Sequence, residues 1–302
     1  MPMTIIFVFV IATPALFIIF ISPKTKKIAS NQWFWIIVGL IGFGYAFFGR
    51  QLQYLVPELR GKILYDLFGS PLMPPPDPNR PLEGLDYSRL LLLDLCPFYI
   101  IFGSLSLFLK KKKIAQILAP FGFYGAAITL FGQIIHDVGN PVNYPKGIWI
   151  YIFVGYHGGE LYFMIHYLSM LISLMVICWT TNWKKTLLIH MHGFALFYFS
   201  YILIMVALIP KIMGNTTGVL EADWQQGGEY SRVEQILKIK WPAVMIVGYI
   251  ISYIVIAIVS LTRIGIEIWA RSWRSKVHLR LLELDWYKNL SAKWYKFKCK
   301  KS

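Results

Sequence analysis

Charged residues are scarce in this sequence, and acidic residues are the rarer sign. Only 15% of the 302 residues are charged, and 15 Asp and Glu stand against 30 Lys and Arg, which gives a net charge of +15. With 57% hydrophobic residues and a mean hydropathy of +0.55, this composition excludes an ordinary soluble domain and indicates a polytopic membrane protein. Membrane orientation and anionic lipid headgroups explain the positive charge, so nucleic acid is not an expected partner.

Cysteine is also rare. Cys96, Cys178 and Cys299 lie at different predicted depths, so they indicate no disulfide framework and do not report a redox compartment. The sequence contains no zinc-binding signature. Neither a metal nor a cofactor is therefore expected.

Long apolar runs are abundant. A membrane-spanning helix needs about 20 mostly apolar residues. Seven stretches qualify, at roughly 4–22, 33–49, 90–109, 114–135, 150–179, 186–209 and 241–262. Because these runs are continuous and no internal repeat is evident, the predicted fold is an all-α polytopic membrane protein with seven transmembrane helices, in a membrane domain covering residues 1–264.

Positive residues follow every second apolar run, and this alternation predicts the orientation. They are Lys24, Lys26 and Lys27 after the first run, Lys110 to Lys113 after the third, Lys184 and Lys185 after the fifth, and a basic tail after the seventh. The positive-inside rule makes these segments cytoplasmic, with the N-terminus outside and the C-terminus cytoplasmic. The first run lacks a basic leader and a clear cleavage site, so it is predicted to be a retained span.

Two segments depart from short connections. The outer loop at about 50–88 begins with apolar residues at helical spacing and continues with a proline-rich stretch, which predicts an amphipathic helix and a stiff connector. It could cover a lateral lipid entrance or simply pack on the surface. The tail, 265–302, interleaves Trp and Tyr with Lys and Arg, which is typical of an interfacial helix on anionic inner-leaflet headgroups. A site for a cytosolic partner is the alternative.

Asp94 and Cys96 place a carboxylate and a thiol inside an apolar run. An ionisable residue in a span costs at least ~2.5 kcal/mol, so it is usually retained because it faces a cavity or a site. Residues two positions apart in a regular helix point about 200° apart, so the side chains of Asp94 and Cys96 can face one centre only if the helix is distorted. Pro97 removes a backbone donor and frees the carbonyl near Leu93, which predicts an irregular turn.

The outer side of the predicted bundle collects further polar residues. Counting from the cytoplasmic lysines places His166 near the depth of Asp94 and Cys96. Nearer the outer interface lie candidate substrate-binding residues, namely His136, Asp137, His157 and Glu160. Cysteine with histidine is an acyl-transfer pair, in which the thiolate takes the acyl group and the imidazole moves the proton. A buried packing cysteine and a histidine bonded across helices are the alternatives.

Four short motifs, in this order and spacing, resemble those of YwaF-type bacterial integral membrane proteins, which are similar to the animal transmembrane protein 164 family. The motifs are Leu91-Leu92-Leu93-Asp94-Leu95-Cys96, Phe121-Gly122-Phe123-Tyr124-Gly125-Ala126-Ala127, Phe163-Met164-Ile165-His166-Tyr167-Leu168 and Met213-Gly214-Asn215-Thr216. The resemblance covers roughly residues 85–265. It implies a seven-helix protein of the bacterial plasma membrane; the animal members are regarded as acyltransferases that move fatty acyl chains between phospholipids through a cysteine.

The resemblance also implies residue roles. Cys96 would accept the acyl group, His166 would act as its base, and Asn215 would orient substrate. Asp94 departs from the pattern, since bacterial relatives commonly have histidine there, and a carboxylate cannot supply the same neutral donor and acceptor.

The sequence therefore predicts outer-leaflet acyl transfer on phospholipids or lipoproteins, with Cys96, His166 and Asp94 as the catalytic residues. A transporter or lipid-translocating protein that uses Asp94, Glu160 and His166 is one alternative. A non-catalytic membrane scaffold is the other.

Overall fold

The computed structural model of the chain describes residues 2–21, 26–56, 84–136, 162–180, 185–209, 212, 216–225 and 230–258. Within these ranges the chain consists of helices and turns, without strands, which confirms the all-α class. The chain divides into two compact units, residues 1–250 and 251–302, and only 251–258 of the second unit is described. The predicted start of the tail at residue 265 lies outside the described residues.

The helices are labelled in chain order. They are α1 (Pro2–Ile21), α2 (Lys26–Ser30), α3 (Gln32–Ala46), α4 (Leu52–Leu55), α5 (Gly84–Leu90), α6 (Leu95–Phe108), α7 (Lys112–His136), α8 (Tyr162–Met175), α9 (Lys185–Leu208), α10 (Ser231–Leu237) and α11 (Ala243–Ile258). A π-helical turn follows α3 at Phe47–Gln51, and another follows α8 at Val176–Thr180. A 3₁₀ turn, Glu221–Asp223, lies between α9 and α10.

Five helical segments of the described chain are long and apolar enough to cross a membrane. They are Gln32–Gln51, Tyr87–Phe108, Lys112–Phe131, Phe163–Thr180 and Thr186–Leu208. Two shorter apolar stretches, Val8–Ile19 and Ala243–Ile258, correspond to the first and seventh predicted spans. The described chain therefore has five candidate membrane spans, and the count of seven stays a prediction. Residues 150–161 of the fifth run, and most of the 50–88 loop, lie outside the described residues.

Helix α6 is the centre of the bundle. It packs against α3, α7 and α8, and 61% of the Tyr87–Phe108 span is buried, compared with 17–56% in the other four. Small residues allow this close packing. A Cβ added at Gly39 of α3 would lie only 2.5 Å from the Phe108 nitrogen at the end of α6. Functional side chains on α6 are therefore held among several helices.

Side-chain hydrogen bonds fix the direction of neighbouring helices. Helices α7 and α8 are antiparallel, because Ser169 donates to the Gly122 carbonyl (3.4 Å) while Gln116 donates to the Thr180 carbonyl (2.8 Å). Helices α1 and α8 are parallel, because Tyr167 donates to the Val10 carbonyl (2.7 Å) and Trp179 to the Ile18 carbonyl (3.0 Å). The start of α1 therefore lies at the end of the bundle opposite the turn between α6 and α7.

Candidate functional site

The third predicted span is not one continuous helix, because residues 91–94 interrupt it between α5 and α6. Leu92 has a left-handed backbone, with φ of 56°. Its amide donates to the Arg89 carbonyl (3.3 Å), and the Leu93 amide donates to the Ser88 carbonyl (3.0 Å). This pattern is a Schellman helix ending, which usually places glycine at the left-handed position. Leucine there costs roughly 1–2 kcal/mol, so surrounding contacts must hold the break in place.

Side chains from other elements satisfy the carbonyl groups of the break. Five successive carbonyls each accept one such hydrogen bond, with Gln51 donating to Arg89 (3.3 Å) and Leu90 (2.9 Å), Tyr201 to Leu91 (2.7 Å), Tyr198 to Leu92 (3.2 Å), and Thr217 to Leu93. Irregular backbone at membrane depth is tolerated only when such groups are paired or face water. The break is thus held by α9, by the π-turn after α3 and by the loop that contains Thr217.

Pro97 does not itself break α6, although an irregular turn, as predicted, lies just before the helix at residues 91–94. It is the third residue of α6, in the first turn, where a backbone N–H would lack an intrahelical partner anyway. The predicted irregular turn and the available Leu93 carbonyl are both present, and Thr217 binds that carbonyl. Asp94 precedes the helix in an extended conformation, with φ −89° and ψ 135°. The helical angle of about 200° between Asp94 and Cys96 therefore does not apply.

Cys96 is the second residue of α6 and is buried, with 6% of its surface exposed. Its sulfur lies 2.8 Å from the position that a Cβ on Gly125 of α7 would occupy, so the thiol fits into space left by a glycine. The apolar side chains packed with it include Ala126, Phe163 and Met170. The thiolate is the nucleophilic form of cysteine, so reaction at Cys96 would require a nearby base.

His166 lies on α8 at the level of Cys96. The hydrogen bond between Ser169 and Gly122 sets the antiparallel register, and one turn further along each helix brings His166 level with Gly125. Phe163 and Met170, which pack in the Cys96 cluster, are three and four positions from His166 and share its helix face. His166 is itself buried, with 7% exposed. The structure therefore brings the two helix segments that carry Cys96 and His166 together.

The Tyr198 hydroxyl lies at the centre of a polar cluster on the α9 side of the break. Tyr198 is 5% exposed, and its hydroxyl lies within electrostatic reach of Asp94 and Cys96 and close to the Thr217 side chain. The same hydroxyl donates to the Leu92 carbonyl at 3.2 Å. Asp94, although outside the helix, therefore belongs to the same polar environment as the thiol.

Thr217 is positioned by Asp223. The Asp223 carboxylate is 2% exposed and accepts from the Thr216 hydroxyl (2.6 Å), the Thr216 amide (3.2 Å) and the Gly218 amide (3.0 Å). Hydrogen bonds to a carboxylate are roughly twice as strong as neutral ones. Tyr249 of α11 donates to the Thr217 carbonyl at 2.8 Å. These contacts define a fixed loop, the Asp223 loop (residues 216–225), that docks on the helix break.

Two arginines flank the other side of the break. Arg50, in the π-turn after α3, is 8% exposed, and its guanidinium carbon lies 5.3 Å from the centre of the Tyr54 ring. Arg89, at the end of α5, lies 5.9 Å from the same ring and donates to the Tyr54 hydroxyl at 2.9 Å. Positive charge is therefore concentrated next to the polar cluster. π-Helical turns of this kind occur frequently at functional sites.

The side chains of the other five predicted site residues lie outside the part of the chain that the structure describes. His136 is the last residue of α7, and its side chain lies outside the described part, as do Asp137, His157, Glu160 and Asn215. No group of three or more His, Cys, Asp or Glu in the described ranges could hold a metal ion. The expectation of no metal or cofactor stays a prediction.

Sequence reasoning missed the residues that support the break. These are Gln51, Tyr198, Tyr201, Thr217 and Asp223. Asp223 was detectable as a carboxylate a few residues after a Thr-Thr-Gly turn, because a buried acid often caps such a turn. The two tyrosines carried no signal, because tyrosine is ordinary in an apolar helix.

Comparison with known proteins places the chain in a family. The model of a family of unknown function, DUF5378, matches residues 5–301. The chain belongs to the DUF5378 family. It is similar to the protein of Mycoplasma genitalium described as uncharacterized protein MG135, with 38% identity over 244 residues, or 80% of this chain and 81% of that protein. It is also similar to the MG135 homolog of Mycoplasma pneumoniae, with 40% identity over 219 residues, or 72% and 73% of the two chains.

No solved structure matches this DUF5378 chain. The family and the relatives give no support to the YwaF-type or transmembrane protein 164 resemblance. They also carry no named activity, so function must be argued from the site itself.

Proposed function

We propose that this DUF5378 protein is a multi-pass protein of the cell membrane that transfers acyl chains on phospholipids or lipoproteins through a thioester on Cys96. The observation that carries the proposal is the position of Cys96, buried beside Gly125 at the level of His166 and next to a supported helix break. A thiol at such a place meets acyl chains that arrive laterally from the bilayer.

The proposed reaction has two steps. His166 takes the proton of the Cys96 thiol, the thiolate attacks the ester carbonyl carbon, the ester C–O bond breaks, and His166 returns the proton to the leaving alcohol. An acceptor hydroxyl or amine then attacks the thioester, its proton passes through His166, and the C–S bond breaks to restore the thiol. Atoms and charge balance without a metal or a cofactor.

Neighbouring groups have supporting roles in this proposal. Asp94 and Tyr198 would orient the polar part of the substrate at the break. Arg50 and Arg89 would attract the phosphate of a phospholipid, because guanidinium groups match phosphate geometry. The outer-side residues His136, Asp137, His157, Glu160 and Asn215 would bind the headgroup or a lipoprotein amine.

The test is intact-mass measurement of protein purified with native lipids. We expect a mass increase of one fatty acyl chain that neutral hydroxylamine removes, because hydroxylamine cleaves thioesters. Cys96→Ala should lose the adduct and Cys178→Ser should keep it, since Cys178 lies in the π-turn after α8. His166→Gln should slow adduct formation. An adduct on Cys178, or none on the wild-type protein, would reject the mechanism.

The interrupted span favours a second candidate, a transporter or lipid-translocating protein. Broken helices form substrate and ion sites in many transporters, and Asp94 lies in the gap. However, the carbonyl groups of this break are already bonded to side chains, so they are less available as ion ligands. Substrate flux in proteoliposomes that is lost in Asp94→Asn and retained in Cys96→Ala would favour transport over acyl transfer.

A further inference from the structure

We infer that the turn between α6 and α7 is a binding site for the headgroup of an anionic phospholipid. An open surface cavity of about 590 Å³ lies at this end of the bundle, lined by Ser30, Gln32, Lys110, Lys111, Lys112, Lys113 and Ile114. Four consecutive lysines therefore share one cavity. Among the described residues that line it there is no carboxylate. The site lies at the opposite end of the bundle from Cys96 and does not depend on the proposed acyl transfer.

The backbone of the turn is fixed in a way that presents the lysines. Lys110 has a left-handed conformation, with φ of 63°. Its amide donates to the Leu107 carbonyl (3.1 Å), and the Lys111 amide donates to the Ser106 carbonyl (2.7 Å), which is a second Schellman ending. Lysine is less favourable than glycine in this conformation because its Cβ lies close to the following carbonyl oxygen. A charged residue thus occupies a position where local backbone energetics favour glycine.

Lys112 is held at the inner wall of the cavity. Its ammonium donates to the Ala29 carbonyl at 3.4 Å and lies 5.7 Å from the centre of the Trp35 ring. Trp35 is fully buried and donates to the same carbonyl at 2.8 Å. One of the four cations therefore has a defined position, whereas Lys110, Lys111 and Lys113 are exposed.

The charges at this turn repel one another and the helix that follows. Helix α7 begins at Lys112, and its first turn contains no acidic residue. The start of a helix carries a partial positive charge, so anions stabilise it and lysines there are unfavourable. A bound anion would reduce the repulsion among the four lysines and between them and the positive end of α7. Basic pockets between helix ends are known sites for anionic lipid headgroups.

A lipid fits better than a free anion because apolar side chains border the turn. Phe108, Leu109 and Ile114 are 38%, 54% and 48% exposed, and Trp33, which follows the lining residue Gln32 in the chain, is 70% exposed. These side chains provide a surface for acyl chains directly next to the lysines. A phosphate group attached to two acyl chains would therefore contact both kinds of surface.

The experiment compares phosphatidylglycerol with phosphatidylcholine, using native mass spectrometry of protein released from mixed nanodiscs. We expect selective retention of phosphatidylglycerol, and we expect the variant Lys111→Gln/Lys113→Gln to weaken it about tenfold or more, because each lysine near an anionic surface contributes about 1 kcal/mol. The matched control Lys238→Gln/Lys240→Gln removes two exposed lysines elsewhere and should change retention less than twofold. Lys111→Arg/Lys113→Arg should preserve binding.

Other outcomes would overturn the inference. Equal weakening by the two glutamine pairs would mean that only net charge matters. Equal retention of both lipids would remove the headgroup selectivity. Inorganic phosphate that displaces phosphatidylglycerol at comparable concentrations would make the ligand a free anion. Size-exclusion elution and circular dichroism of each variant establish that it is folded before binding is compared.

Discussion

Tyr198 and Tyr99 are buried tyrosines with opposite hydrogen-bonding states. Tyr198 is 5% exposed and donates to the Leu92 carbonyl at 3.2 Å. Tyr99 is 1% exposed, and its hydroxyl has no partner with hydrogen-bond geometry among the described residues, although Ser173 interacts weakly with it. Removing a donor is costly only when a buried acceptor is left unpaired. The pair therefore isolates the contribution of the hydrogen bond at the break.

The expected result follows from this contrast. Tyr198→Phe should lower the free energy of unfolding by about 1 kcal/mol. Tyr99→Phe should leave it unchanged within about 0.5 kcal/mol, since no partner is lost. Equilibrium unfolding with SDS in mixed micelles measures both. If Tyr198→Phe lowered the free energy of unfolding no more than Tyr99→Phe does, the hydrogen bond at the break would contribute nothing measurable.

Asp223 is the residue on which the Asp223 loop depends. Its Oδ2 atom accepts from three donors on Thr216 and Gly218, and an amide oxygen in its place would lack the negative charge that strengthens all three hydrogen bonds. Asp223→Asn should therefore cost about 2 kcal/mol in unfolding free energy. Glu221→Gln is the matched control, because Glu221 is exposed in the same 3₁₀ turn and should cost less than about 0.5 kcal/mol. Equal effects from the two variants would contradict the role of Asp223.

At the scale of elements, the helices follow from local sequence and the break only partly does. Within the described residues, apolar runs and the lysine turn (Lys110 to Lys113) give the long helices to within a few residues, and the irregular turn predicted near Pro97 lies at residues 91–94. The donors to the break could not be predicted, because Tyr198, Tyr201 and Thr217 lie 106, 110 and 124 residues from the carbonyls they bind. Their contacts depend on how α9 and the Asp223 loop pack against α6. Neither feature leaves a periodic pattern in the sequence.

Thr217 links the Asp223 loop to the break, and its loss should loosen the turn before Cys96. Thr217→Val keeps the side-chain volume and removes the donor to the Leu93 carbonyl. We expect Cys96 to react several-fold faster with a small maleimide in a background in which Cys178 and Cys299 are alanine, because the local opening free energy falls by about 1 kcal/mol. Thr180→Val is the control, since Thr180 bonds to the Val176 carbonyl at the opposite end of the bundle. An unchanged rate of maleimide labelling of Cys96 in Thr217→Val would show that the Asp223 loop does not control access to the thiol.

Packing between α6 and α7 gives a test of the position of Cys96. An added Cβ at Gly125 would lie 2.8 Å from the Cys96 sulfur, which is closer than van der Waals contact. Gly125→Ala should cost about 1–3 kcal/mol of unfolding free energy through overpacking. In a Cys96→Ala background the same substitution should cost at least about 1 kcal/mol less, because the sulfur is gone. Additive costs in this double-mutant cycle would show that Gly125 does not limit the space for the thiol.

The whole molecule has its polar break and its lysine turn at opposite ends. About 13 residues separate the lysine turn from Cys96 along α6, and a similar number separates it from Gly125 along α7. At 1.5 Å per residue this is about 20 Å, or two-thirds of a hydrocarbon core about 30 Å thick. The two proposed sites would therefore face different leaflets.

Three candidate spans, those of α7, α8 and α9, lie between Lys111 and Glu221, and if all three cross the membrane these two residues lie on opposite faces of it. Lys111 and Glu221 are both exposed, so each can be replaced by cysteine after the native cysteines are changed to alanine. In intact cells, an impermeant maleimide should label Glu221→Cys directly and Lys111→Cys only after permeabilisation, because positive segments remain cytoplasmic. Labelling of both cysteines from outside would require an even number of membrane crossings between them. Labelling of Lys111→Cys alone would show that the orientation is opposite to the predicted one. Either result would move Cys96 to the inner leaflet or outside the spanning bundle, where outer-leaflet acyl transfer could not occur.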